Sequence, residues 1–192
     1  RSFISMFCIK CGGKTEFVSI PGDEIKRDQC RACGYIHYYN PKIIAGILPI
    51  KNFDILLCKR DIEPGFGKWT IPAGFLEMGE TLEDGAKREA KEEANLEIKL
   101  MKLYGTYSIP RISQIYIIYL GKILNDDYFG NSETSEIRIF KVKDIPWSDI
   151  AFSSVKFLLE KYKYDLNNKK QFGFYSNSWF KHTFKSTSLI GQ

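Results

Sequence analysis

Three carboxylates on one short stretch could hold a metal ion. Glu89, Glu92 and Glu93 stand at i, i+3 and i+4 inside Gly74–Leu96. On a helix all three fall on one side, within roughly 100° of arc at about 3.6 residues per turn. Seven carboxylates occupy those 23 residues. Like charges so close repel one another and destabilise the bare helix. The cluster calls for a cation, and a hard divalent ion such as Mg²⁺ or Mn²⁺ prefers carboxylate oxygens. Acidic helix faces are usually just solvated, so three glutamates alone do not decide the matter.

A second cluster is made of thiols. Cys8, Cys11, Cys30 and Cys33 form two C-x₂-C pairs separated by eighteen residues. Each pair can place both thiolates on one tetrahedral ion, and two pairs close a four-sulfur zinc site. Gly12 and Gly34 follow the pairs, as tight metal-binding turns often require. A closed four-sulfur site leaves no open position, so Zn²⁺ held there is structural. Residues 6–38 are too few for a core, and the metal would supply their folding energy. Disulfides are the competing reading, and an intracellular enzyme seldom uses them. Cys58, in I-L-L-C-K, reads as a small buried hydrophobe. His37 reads as a supporting or surface residue, since four cysteines already complete the site.

The elements that must position these groups follow from periodicity. Leu82, Ala86, Ala90 and Ala94 recur every four residues and predict a helix over about 81–94 with that face inward. Thr81 ahead of Asp84 is a capping-box-like start. Asn95 follows the helix, where a left-handed backbone is wanted and asparagine is tolerated. Gly85 lies one turn before Glu89, at a cost of about 1 kcal/mol against alanine. It is expected to leave room for metal or phosphate. Upstream, Ile43–Ile50 and Ile55–Lys59 read as strands around the turn Asn52-Phe53-Asp54. A loop over Glu63–Gly67 leads to a short strand, Lys68–Ile71. Downstream, strands Leu103–Ile109 and Ile112–Ile123 flank a Pro110-Arg111 turn. An acidic loop, Asn125–Ser135, precedes a strand at Ile137–Val142 and an amphipathic helix at Ser153–Tyr164. Mixed strands with one helix in the middle and one at the end predict the α/β class, as an α/β/α sandwich.

The chain has 192 residues and 44% hydrophobic content, enough for one sizeable domain and a small appendage. No apolar run reaches about 18 residues, so no membrane span is expected. The opening R-S-F-I-S lacks the apolar stretch of a secretory leader. Residues 1–5, ahead of Met6, read as an appended remnant or a cut leader. The net charge of +5 resides in residues 156–192, with seven lysines against Glu160 and Asp165; the remainder balances 21 bases against 21 acids. Those lysines interleave with Tyr162, Tyr164, Phe172, Phe174, Tyr175, Trp179, Phe180 and Phe184. Such a pattern could bind nucleic acid. The preferred reading is that the aromatics pack on the body or a partner subunit while the lysines face water.

The spacing of Gly74, five residues, Glu80, seven residues, then R-E-A-x-E-E from Arg88 resembles the Nudix box. That box is a loop-helix-loop motif of enzymes that hydrolyse nucleoside diphosphates linked to another group. Asn95 departs from the usual glycine. The segments I-H-Y-Y-N-P-K, L-L-C-K-R, G-K-W-T-I-P-A-G-F-L-E-M-G-E and D-I-P-W-S-D-I-A-F-S-S extend the likeness over roughly residues 7–160. They are similar to zinc-ribbon Nudix hydrolases, including FAD and ADP-ribose pyrophosphatases. The expected organisation is a zinc ribbon at 6–38, a Nudix hydrolase domain at 41–160 and a basic aromatic tail at 161–192.

The resemblance implies that Glu89, Glu92 and Glu93, helped by the Gly74 carbonyl, hold Mg²⁺ or Mn²⁺. Water so activated attacks phosphorus and releases AMP from FAD or ADP-ribose. The general base stays open between Glu93 and Glu92 in the box and Glu133 and Glu136 in N-S-E-T-S-E; Glu136 is alternatively a metal ligand. Arg88 is expected to pair with Glu77 or Glu80 and tie loop to helix. Phe66, Trp69, Tyr39, Tyr107 and Tyr116 are candidates to stack a base. Arg60 and Arg111 are candidates for phosphate or ribose. Each of these seven reads more readily as a core or surface residue.

Three alternatives remain. NADH pyrophosphatases and decapping enzymes with zinc ribbons carry S-Q-P-W-P-F-P after the box, and nothing like it follows Leu96. A nucleotide- or RNA-binding module without turnover would have no need of all three glutamates. Small enzymes that clear oxidised nucleoside triphosphates usually lack a ribbon. The expected partner is a small nucleotide rather than nucleic acid or membrane, and related pyrophosphatases suggest a homodimer. Reduced cysteines suit an intracellular site, cytoplasm or organelle.

Overall fold

A computed structural model describes residues 7–168 and 171–179. The chain divides into two compact units, residues 1–40 and 41–192. In the first, β1 (Thr15–Val18), β2 (Arg27–Cys30) and β3 (Ile36–His37) form an antiparallel sheet in that order. Its strands are short and mostly polar. Asp23 holds Arg27 at 2.8 Å at the entry to β2.

The second unit runs β4 (Lys42–Lys51), β5 (Asp54–Arg60), β6 (Trp69–Thr70), β7 (Ala73–Phe75), α1 (Leu82–Ala94), β8 (Ile98–Ile109), β9 (Gln114–Ile123), β10 (Thr134–Phe140), α2 (Ser153–Asn167) and β11 (Tyr175–Ser178). Its sheet has the order β10-β5-β4-β9-β8-β11, with β6 paired to β5 and β7 to β4. The central pair β4 and β9 is parallel; β4–β5 and β8–β9 are antiparallel.

Alternation along the central strands divides the interior in two. Ile47, Leu56, Cys58 and Tyr119 face Ala86, Ala90 and Ala94 of α1. Leu48, Ile55, Leu57, Ile118 and Leu120 pack instead with Leu158, Leu159 and Tyr162 of α2. The protein is therefore the expected α/β/α sandwich on a mixed sheet. Small alanines bring α1 close to the sheet, and that closeness sets how far its glutamates reach.

Two expectations of extent change. Helix α2 runs through position 160 to Asn167, and β11 adds to the open edge of β8 in parallel register, Tyr175 against Gly105. An unpaired edge of β8 would expose a row of amides and carbonyls. Residues 161–167 and 175–178 are therefore built into the sandwich rather than lying in a tail. Asp165, 1% exposed, anchors them: it accepts from Tyr104 Oη at 3.1 Å, from the Gly173 amide at 3.1 Å and from Tyr175 Oη. Phe172 stacks on Tyr162 at 5.3 Å between centroids. Of the aromatics named above, Phe180 and Phe184 lie outside the described residues, as do residues 1–6. Among the described residues no helix is long and apolar enough to cross a membrane.

Candidate active site

Helix α1 is set at both ends by its own sequence. Thr81 Oγ1 accepts the Asp84 amide at 3.1 Å and donates to Asp84 Oδ2 at 2.7 Å. Asn95 sits left-handed at φ 51°, ψ 33°, and its amide reaches the carbonyls of Ala90 and Lys91. Its side chain donates to the Asp127 carbonyl at 2.7 Å, a bond that glycine could not make. Between these caps the alanines face the sheet, and Arg88, Glu89, Glu92 and Glu93 face the loop before the helix.

Arg88 is the hub of that side. Its guanidinium reaches Glu80 at 2.6 and 3.1 Å, Glu89 at 2.7 Å, Glu92 at 3.1 Å and the Phe75 carbonyl at 3.0 Å. The Glu77 amide donates to the same Glu80 carboxylate at 3.0 Å. Of the two expected partners, Glu80 takes the arginine and Glu77 contributes backbone. Arg88 holds the Glu80 carboxyl below the usual range. The cation that the crowded carboxylates require is thus supplied in part by the chain itself.

Glu89 is buried at 9% exposure. Burial pushes its carboxyl up, while Arg88 opposes the shift. It lies against Gly74, and a Cβ on Gly74 would overlap all three atoms of the Glu89 carboxylate. The glycine is there for space. Gly85 is different from expectation. A Cβ there would meet Leu76 Cδ1 at 2.7 Å and Glu80 Oε2 at 3.1 Å. The gap is filled by the loop itself, so it holds no metal or phosphate.

Glu89, Glu92 and Glu93 line one cleft of about 480 Å³ with Glu77, Glu133, Arg60 and Gly74. Glu93 is pushed up to about 8, chiefly by burial and then by the neighbouring Glu89 charge; Arg60 pulls the other way. Carboxylate oxygens lining one cleft are donors of the kind Mg²⁺ or Mn²⁺ prefers, although among the described residues Arg88 holds Glu89 and Glu92 and the three glutamates do not converge on one point as the thiols do. Glu133 reaches the cleft and adds its negative charge to Glu93. Glu136 does not line it. Glu136 pairs with Lys59 at 3.5 Å and with Arg138 on the β10 surface.

The substrate candidates separate in the same way. Arg60 lines this cleft and also an adjoining apolar pocket, with its Nε on the Pro64 carbonyl at 2.7 Å. Tyr116 lines the apolar pocket. Trp69 is buried at 6% and packs edge-on to Phe140, so it is core. Phe66 is exposed on its loop, and Arg111 covers Trp179; neither borders the cleft or the pocket. Tyr107 is buried, with Oη on Ser153 Oγ at 3.4 Å. Tyr39 belongs to the first unit and stacks near His37 at 6.2 Å.

The adjoining pocket, about 290 Å³, shares Ala73, Gly74, Phe75 and Arg60 with the acidic cleft. Sequence reasoning missed Gln114, Ser154 and Phe75 there. They come from a strand start, a helix start and the third residue of a short strand, and no spacing pattern links them.

The thiols of Cys8, Cys11, Cys30 and Cys33 all lie within 4.8 Å of one another, the geometry of a four-sulfur site. Turn amides point at the sulfurs, Lys10 to Cys8 at 3.3 Å and Cys33 to Cys30 at 3.5 Å. The Cys33 amide helps bring the Cys30 thiol down to about 6, toward the thiolate that zinc needs. Gly12 and Gly34 close the turns at φ 72° and 70°. His37 is buried and its Nε2 has no hydrogen-bond partner among the described residues. It lies outside the converging group.

Both units of the chain match known family profiles. The family profile described as NUDIX domain matches residues 40–160, and the one described as Nudix N-terminal matches residues 6–39. An ADP-ribose pyrophosphatase of Methanocaldococcus jannaschii is 31% identical over 128 residues, 65% of this chain and 75% of that protein. An NAD-capped RNA hydrolase NudC of Vibrio atlanticus is 31% identical over 145 residues, 73% of this chain and 51% of that protein. The chain spans about half the length of that relative. A NUDIX hydrolase of Nitrosomonas europaea is similar in structure, with TM-score 0.85 and 42% identity over 90% of this chain and 99% of the other.

Proposed function

Because this chain belongs to the Nudix hydrolase family, we propose that its acidic cleft hydrolyses the pyrophosphate bond of a nucleoside diphosphate derivative, FAD or ADP-ribose, releasing AMP. One observation supports this most: Glu89 and Glu93, both withdrawn from water, share a cleft with Glu92, Glu133 and the cation Arg60. Glu89, Glu92 and Glu93 would hold a divalent ion, which would supply positive charge against the pyrophosphate oxygens and make water easier to deprotonate.

The chain's own groups do the remainder. Gly74 and Arg88 fix the Glu89 carboxylate from two sides. Arg60, at the boundary of cleft and pocket, is placed to meet a phosphate on its way from one to the other. Glu133, which lines the cleft and is not among the three metal-holding glutamates, is the preferred proton acceptor, with Glu93 or Glu92 of the helix as the alternative. Glu136, held by Lys59 and Arg138, is the least suited of the four. The four-cysteine site is proposed to hold one structural Zn²⁺, and a reducing intracellular compartment suits its thiols.

The test is a substrate panel with Mg²⁺ or Mn²⁺: FAD, ADP-ribose, NADH, diadenosine compounds and nucleoside triphosphates, with products identified. FMN plus AMP, or ribose 5-phosphate plus AMP, is expected. The NudC relatives make NADH the informative rival. NADH turned over faster than FAD and ADP-ribose would replace the reading, and salt-sensitive RNA binding with no hydrolysis would overturn it.

A further inference from the structure

Glu133 reaches the cleft from a four-residue turn. The Thr134 amide donates to the Asn131 carbonyl at 3.2 Å, which closes Asn131–Thr134 as a β-turn. The Glu133 amide donates to Asn131 Oδ1 at 2.8 Å, so an Asx-turn is laid over the first. The Glu133 carbonyl accepts the Asp61 amide at 2.8 Å, next to Arg60. A Cβ on Gly130 would overlap the Thr134 carbonyl oxygen, so the chain enters the turn with no space left over. Beyond the turn, Thr134 pairs with Arg60 and Glu136 with Lys59, which leaves Ser135 as an extra residue. A bulge of this kind re-aims the side chains beside it. The Glu133 carboxylate itself makes no hydrogen bond or ion pair among the described residues. Its place in the cleft is therefore set by its backbone, and the amide of that backbone rests on one side chain.

We propose that Asn131 is a positioning residue: its Oδ1 clamps the Glu133 amide and so holds the Glu133 carboxylate toward the glutamates of α1 across the cleft. Asn131 lines the same cleft, one residue away from Glu133 in the chain. Proton transfer needs the base within hydrogen-bond reach of the water, and a misplacement of about 1 Å is costly. A carboxylate without a partner of its own gains that precision only from a rigid turn. Asparagine suits the position because its side-chain carbonyl reaches the amide two residues on. The inference rests on Glu133 as the proton acceptor of the proposed hydrolysis.

Asn131→Ala removes the acceptor, and Asn131→Ser returns one without adding charge. With a hydrolysed substrate, Asn131→Ala is expected to lower kcat about ten-fold and hold KM within about two-fold, part of the ~10²–10⁴-fold that a placed base contributes. Asn131→Ser should recover to within about three-fold of the parent. Gly130→Ala moves the same turn from its backbone and should lower kcat by a similar factor. In a Glu133→Gln background Asn131→Ala should cost less than about two-fold more, because the clamp acts through Glu133. Exchange of the Glu133 amide with solvent, followed by NMR on the full chain without substrate or divalent ion, should quicken at least about five-fold in Asn131→Ala while β4 amides keep their rates. A raised KM with kcat unchanged would make Asn131 a substrate contact and overturn the proposal. So would a full ten-fold loss on top of Glu133→Gln, or an unchanged rate at the Glu133 amide. A parent that hydrolyses nothing in the panel overturns the pyrophosphatase reading, and the amide exchange then decides the clamp by itself.

Discussion

Gly74 lacks a side chain, and Glu89 occupies the space. Alanine there pushes the carboxylate away from the cleft. Displacement of a ligand by about 1 Å can cost ~10²-fold in rate. Gly74→Ala is expected to lose about that much kcat with its circular dichroism unchanged; steady-state turnover within two-fold of the parent would refute the packing role. Glu93→Gln and Glu92→Gln test the glutamates directly. Each should lose on the order of 10²-fold or more in turnover while the fold stays intact, as for loss of a metal-activating group. Full activity in both would remove the metal assignment. These glutamates were legible from i, i+3, i+4 spacing alone, whereas the Arg88–Glu80 pair was legible only as one of two options. Which acid the arginine takes depends on how the loop over Glu77–Glu80 turns, and spacing does not contain that.

At the scale of the element, α1 was legible almost to the residue because both its caps are local. The Thr81 side chain and the Asn95 backbone amide close the helix through groups of their own segment, Asp84 at one end and Ala90 and Lys91 at the other. Asn95→Ala should lower stability by about 1–2 kcal/mol, from the left-handed backbone and the lost bond to the Asp127 carbonyl. Asn95→Gly removes the strain with the bond and should stay within about 1 kcal/mol. Urea unfolding of both variants checks this; equal loss in the two would mean that conformation plays no part. Strand β11 was not legible. Y-S-N-S has no strong alternating pattern, and it becomes a strand because β8 offers an edge and Asp165 ties the preceding turn. Asp165→Ala leaves Tyr104 Oη, Tyr175 Oη and the Gly173 amide without their acceptor. It should cost about 3–6 kcal/mol, three lost partners at ~1–2 kcal/mol each. Loss of protection at the Tyr175–Ser178 amides in hydrogen exchange, with β4 amides unaffected, would mark the cause as local.

On the scale of the whole molecule, the ribbon and the sandwich are separate compact units with different sources of stability. The sandwich has two apolar layers, while the ribbon has four thiols and little core. Cys33→Ser should release the bound zinc and abolish the structure of residues 7–40, yet leave the cooperative unfolding of the sandwich in place. A colorimetric zinc count, expected at one per chain, and a thermal melt read both. A melt in which the sandwich collapses along with the ribbon would show that the two share stability. By itself the sequence determined which carboxylates and which thiols come together, which glycines turn, and which helix holds the glutamates. Those depend on contacts within a few residues, which spacing records. Tertiary structure alone decided that Trp69 is core, that Gly85 makes way for Leu76, and that Glu136 faces Lys59 rather than the cleft. It also decided that Gln114, Tyr116 and Ser154, distant in the chain, meet in one pocket. Each of these is a question of which strand lies beside which, and sheet order is a long-range choice that local periodicity does not encode.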